Sequence, residues 1–166
     1  MKGSLLTLLV AVGLCHGAAQ AAEVTVQWKD FKEYRDVYPS NEARGGYHKR
    51  IATQFEKHLN KLAEQLPAGY NLAVSFDDID LAGDVHYGRN DIRVIKPIHF
   101  PSLTISFTLK DNSGKVLSEG QAVRLKDMSF MDRSRLGDNE SFHYDKRLLS
   151  EWFEQTILPA ATKSVS

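Results

Sequence analysis

Cysteine is nearly missing from this chain: 166 residues hold one, Cys15, close to the start. That excludes a disulfide framework and any zinc site built on several thiolates. An excess of one charge is missing too, because 21 Lys and Arg face 21 Asp and Glu for a formal net charge of zero. A balanced chain exerts no global pull on nucleic acid or anionic lipid, so no nucleic-acid partner is expected. The sequence has no G-x-S-x-G, no H-E-x-x-H and no glycine-rich phosphate loop, which removes the common signatures of serine hydrolases, zinc hydrolases and P-loop nucleotide binders. No cofactor is expected, and internal repeats and low-complexity runs are absent.

What is present begins with an address. Met1-Lys2 gives a positive start, Leu5 to Leu14 is an apolar run interrupted by Thr7 and Gly13, and Ala19-Gln20-Ala21 fits the A-x-A pattern of signal-peptidase cleavage. The run is too short for a stable bilayer span. Residues 1–21 are therefore read as a cleaved secretory signal, with cleavage after Ala22 as the near alternative. Leu14 precedes Cys15 where a lipoprotein signal wants a small residue, so the cysteine is expected to leave with the signal. Residues 22–166 would then form one cysteine-free domain without a transmembrane anchor. The periplasm is the expected location, since secreted eukaryotic domains of this size often carry disulfides.

Residues 24–28 alternate apolar and polar and predict a strand. Tyr47, Ile51, Phe55, Leu59, Leu62 and Leu66 recur at helical spacing and predict a helix near 46–66, stopped at Pro67-Ala68-Gly69. A strand with Leu72, Val74 and Phe76 on one side is expected over 70–80, a loop over 85–91 and a short strand at 92–95. Leu103, Ile105, Phe107 and Leu109 alternate with polar residues before the turn Asp111-Asn112-Ser113-Gly114, so 103–126 reads as a hairpin, with Gly120 marking a bulge. Leu148, Leu149, Trp152, Phe153 and Ile157 predict a last helix over 143–158, ended by Pro159. Each helix and the hairpin has one apolar face. The economical arrangement is α+β: a two-layer sandwich of a mostly antiparallel sheet with both helices on one face.

Candidate chemistry concentrates in the acidic segment Asp77 to Asp84. On a strand Asp78 and Asp80 share a face with Asp77 opposite, and converging carboxylates could bind a hard cation weakly or act as an acid/base pair in a hydrolase. The competing reading is a strand end whose aspartates satisfy turn amides. Arg93, inside an otherwise apolar strand, is expected to pair with one of those aspartates, with anion binding as the alternative. Asp127, Arg133 and Arg135 lie in a stretch, 127–144, that also holds Met128, Phe130, Met131, Phe142 and Tyr144. That stretch is either a recognition loop or a loop pinned by its apolar residues. His48 and His58 fall on the polar side of the helix expected near 46–66, and with His86, His99 and His143 they show no metal-ligand spacing, so no metal residues are assigned.

Several segments recur together in one family: Asp78-Ile79-Asp80-Leu81-Ala82-Gly83, then Ile92-Arg93-Val94, the hairpin, Leu125-Lys126-Asp127-Met128-Ser129-Phe130, and Trp152-Phe153 in a final helix. In this order they resemble the small exported bacterial proteins grouped as domain of unknown function family 3016. The resemblance spans nearly all of the expected mature chain. It implies a Gram-negative envelope location and carries no catalytic residues, because the family has no established activity. Together these readings favour a non-enzymatic binding or accessory module of the cell envelope, with a protein partner, over an enzyme.

Overall fold

The computed structural model describes residues 21–132 and 140–163. Residues 1–20 of the expected signal, Cys15 among them, lie outside them, as do Arg133 and Arg135. Among the described residues, six strands and three α-helices appear in the order β1 (Glu23–Gln27), α1 (Arg44–Ala63), β2 (Asn71–Asp80), β3 (Asp84–His86), β4 (Ile92–Val94), β5 (Ser102–Lys110), β6 (Val116–Lys126), α2 (His143–Trp152) and α3 (Leu158–Lys163). The main sheet runs β1-β2-β5-β6, and β3 with β4 forms a separate two-stranded ribbon. β1 is parallel to β2, while β2-β5 and β5-β6 are antiparallel. The architecture is α+β, as the patterning predicts.

The sheet has one apolar face because its strands alternate with period two. Leu72, Val74, Phe76 and Ile79 of β2, with Leu103, Ile105, Phe107 and Leu109 of β5, are buried. They face Ile51, Phe55 and Leu59 of α1 and Leu148, Leu149 and Trp152 of α2 in one continuous cluster. Trp152 meets the ring of Phe107 edge-on at 5.1 Å, and Trp28 stacks on Phe76 at 4.5 Å while donating to Glu56 Oε1 at 2.8 Å. Gly120 sits opposite Phe107, with the bulge that its position predicts immediately after it. A Cβ at Gly120 would come within 2.6 Å of that ring, so the close approach itself requires glycine.

Three details depart from the sequence reading. The expected loop over 85–91 begins as a strand, because Val85 and His86, with Asp84 before them, pair with β4. Pro159 does not end the last helix: residues Phe153–Ile157 widen into a π-helical turn, and Pro159 then falls in the first turn of α3. There the amide before it, that of Leu158, reaches back five residues to the Phe153 carbonyl, so the proline follows a widened turn. His58, expected on the polar side of α1, instead meets Ser150 of α2 at 2.9 Å. Among the described residues no helix is long and apolar enough to cross a membrane.

Candidate functional site

Asp78, Asp80 and Arg93, singled out by the sequence, gather where β2 ends, but their partners differ from those expected. Between Phe76 and Asp78 the β2-β5 register slips by one residue. This bulge turns Asp77 to the outer face, where Ser106 Oγ, itself opposite Ser75, donates to Asp77 Oδ2 at 2.5 Å. Asp77 is therefore not opposite Asp78 and Asp80, because the extra residue resets the alternation. The carbonyl of Phe76 beside the slip accepts from the hydroxyl of Tyr34 at 3.1 Å.

Asp78 and Asp80 lie side by side, as their spacing predicts, with Arg35 across them at 3.4 and 3.7 Å. Asp78 Oδ1 also accepts from the backbone amides of Arg35 and Ile79, both at 3.0 Å. Burial, and then the nearby Asp36, raise the pKa of Asp80. Asp36 is there because its backbone bridges Asp80 in parallel, extending the edge of β2 beyond β1.

The carboxylate that pairs with Arg93 is Asp36 rather than an aspartate of the Asp77–Asp84 segment. Its Nη1 and Nη2 donate to the two carboxylate oxygens of Asp36 at 2.8 and 2.9 Å, a bidentate fork. The same two nitrogens reach the carbonyls of Gly83 at 2.9 Å and Tyr38 at 3.0 Å. The bridge that draws Asp36 onto β2 is a long-range contact, so proximity in sequence points to the wrong aspartates. Gly83 holds this corner through its backbone: its φ is +84°, and a Cβ would lie 2.7 Å from the carbonyl oxygen of Val94.

Behind Arg93 is a carboxyl that the sequence reading passed over. Asp145, in the first turn of α2, is 2% exposed and accepts from the backbone amide of Ala82 at 3.1 Å. Burial pushes its pKa up to about 7, against the opposing pull of the Ala82 amide and Arg93. Phe142 sets the position of this turn. It caps α2 with φ 58°, in the left-handed region, and packs edge-on against Tyr47 and Phe55 at 5.8 and 5.9 Å. Those contacts hold a conformation that non-glycine residues seldom adopt. Tyr47, Arg50, Arg93, Phe142, Tyr144 and Asp145 border a cleft of about 270 Å³. Arg50 lies 5.0 Å above the Phe142 ring and 5.1 Å above that of Tyr47, and also pairs with Glu42.

Asp127 is likewise committed. It is 6% exposed, accepts from the Ser129 amide at 3.0 Å and pairs with Arg147 Nη2 at 3.0 Å. Arg147 also reaches the carbonyl of Phe130 at 2.7 Å, and the fully buried Phe130 ring meets Tyr144 edge-on at 4.7 Å. The first part of the 127–144 stretch is thus pinned to α2. Among the described residues, no group of three or more His, Cys, Asp or Glu side chains could hold a metal ion.

Comparison with known proteins gives one family. The family described as "Protein of unknown function (DUF3016)" matches residues 22–155. No curated protein matches the chain. Among solved structures, a minor lipoprotein from Acinetobacter baumannii aligns at 11% identity, covering 85% of this chain and 94% of the other, with a TM-score of 0.30. A likeness of that size carries no argument about this chain.

Proposed function

We propose, for a chain that belongs to the DUF3016 family, a non-enzymatic binding or accessory role in the cell envelope, exercised in the periplasm once residues 1–21 are removed. One observation supports the reading above the rest: the charged groups most suited to chemistry are already spent on the fold. Asp36 closes on Arg93, Asp78 on Arg35 and two amides, and Asp127 on Arg147 and Ser129. A general acid or nucleophile must meet its substrate, and these groups meet the protein instead. Cross-linking in cells followed by mass spectrometry tests the proposal. It expects a specific envelope protein above background, bound to a chain whose intact mass lacks residues 1–21. Recovery of no partner, or of a chain that keeps its first twenty residues, contradicts it.

The second reading is an enzyme of the hydrolase type. Its support is no longer the acidic segment but Asp145, a carboxyl poised near neutrality beside Arg93 and Tyr47 on an open cleft. That reading requires a hydrolytic activity whose pH profile moves in Asp145→Asn while the fold survives. Absence of turnover across ester, amide and glycoside substrates removes it.

A further inference from the structure

Glu140 also borders a second cleft, of about 330 Å³, between α1 and α2. It is lined by Gln54, Lys57 and Lys61 of α1, by Lys146 of α2, and by Glu140 and Ser141. Lys57 and Lys61 are four residues apart on one helical face, where like charges repel and cost a little helix stability. Lys146 is the anchor. Its side chain is only 9% exposed, yet a long, strongly hydrated ammonium is seldom buried without a counter-charge. Its Nζ donates to Gln54 Oε1 at 2.9 Å, a neutral acceptor, and lies 3.5 Å from Glu140 Oε2 on a side chain that is 68% exposed. Among the described residues lining the cleft, Glu140 is the one carboxylate against three ammonium groups.

His58 completes the wall and adds no charge near neutrality. Burial, and then Lys146, lower its pKa. Ser150 Oγ donates to the Lys146 carbonyl at 3.2 Å and meets His58 Nε2 at 2.9 Å, so the imidazole can serve as donor there. The seam between the helices is thereby fixed with the Lys146 ammonium at the cleft, and the site is built before any ligand arrives.

From this arrangement we infer that the α1-α2 cleft is an anion site for a phosphate group, with Lys146 as its buried anchor and Lys57 and Lys61 as its exposed clamp. Three point charges with rotatable donors, a hydroxyl from Ser141 and an amide from Gln54 suit a tetrahedral oxyanion. The volume leaves room for what the phosphate is attached to. Such a group could come from a soluble phosphate ester or a phospholipid headgroup, and both present the same oxygens.

The full chain, processed as it is in the cell, is titrated with inorganic phosphate against sodium chloride of equal ionic strength, followed by amide shifts of residues 54–61 and 141–150. The same chain is mixed with phosphatidylglycerol and with phosphatidylcholine vesicles. The expected result is saturable phosphate binding that weakens at least about tenfold in Lys57→Gln with Lys61→Gln, exposed changes that leave the core alone, and that disappears in Lys146→Met. Vesicle binding that phosphate competes away and the double variant loses identifies the headgroup as the source. Phosphate binding without vesicle binding identifies the soluble ester. Shifts no larger than those caused by chloride, or equal phosphate affinity in the double variant, overturn the inference.

Discussion

Between the helices and the sheet, Phe55, Phe76, Ile105 and Phe153 are wholly buried and ask nothing of their neighbours except contact. At the end of β2, Asp145 is buried and Asp36 and Arg93 are largely, though not wholly, covered, and each needs a partner of the right charge at the right distance. The first region is held by apolar area removed from water, which is non-directional and independent of pH. The second is held by directed bonds whose value depends on every member being present, because a desolvated charge that loses its partner is costly. Periodicity specifies the first kind of region. The second kind depends on which distant segments the fold brings together.

The largest change expected is in the apolar layer. Trp152→Ala removes a 4% exposed indole that packs against Phe107 and should lower unfolding free energy by about 3–5 kcal/mol. Denaturant titration at pH 5 and pH 8 should give the same loss. A loss that differs between the two would mean that Trp152 is coupled to the charged corner.

Next comes the Arg93 fork. Asp36→Ala strands a guanidinium whose side chain is 15% exposed. The expected cost is about 2–3 kcal/mol, below the 3–5 of a fully buried pair because water reaches both partners. Asp36→Ala combined with Arg93→Met should recover part of it, and failure to recover would show that Arg93 acts through its carbonyl contacts instead. Arg35 gives a smaller effect. Its side chain is 58% exposed over Asp78 and Asp80, so Arg35→Ala should cost no more than about 1 kcal/mol. The smallest effect is calcium. With Arg35 across both carboxylates, millimolar calcium against chelator should leave the melting midpoint unchanged. A rise abolished by Asp78→Asn with Asp80→Asn would make the acidic edge a cation site.

The two regions also divide what the sequence disclosed. The apolar stripes of α1 and α2, the hairpin and the Gly120 bulge follow from spacing alone, and the structure places them close to expectation. The acidic segment and Arg93 stand out in the sequence as unusual, and both do occupy the corner. Their partners, Asp36 and Arg35, come from a mixed stretch without periodicity, whose position is set by a bridge to Asp80. Nothing local announces that bridge. Asp145 did leave a signal. It lies three, four and seven residues before Leu148, Leu149 and Trp152, so it belongs to the buried stripe, and a charge on a buried stripe asks for an explanation. Lys146 leaves a weaker trace, since a helix flank does not reveal which neighbouring helix covers it.

The central claim is that the fold at this corner sets the ionisation of its charged groups, and Asp145 tests it most directly. Its pKa rises from the ordinary 3.8 to about 7, with burial as the main cause. Between those values the native state keeps a proton that the unfolded chain has released, so stability falls as pH rises from 4 to 7 and does not change on this account outside that window. The raised Asp80 acts in the same sense, while His48 and His58, whose pKa values are lowered, act in the opposite one. Comparing wild type with Asp145→Asn cancels those contributions. Unfolding free energies of both, measured at half-unit steps from pH 4 to 8, should diverge: the wild type loses on the order of a few kcal/mol relative to the variant as pH rises through the window. Parallel curves would mean that Asp145 ionises as freely in the folded protein as in the unfolded chain, and would contradict the account.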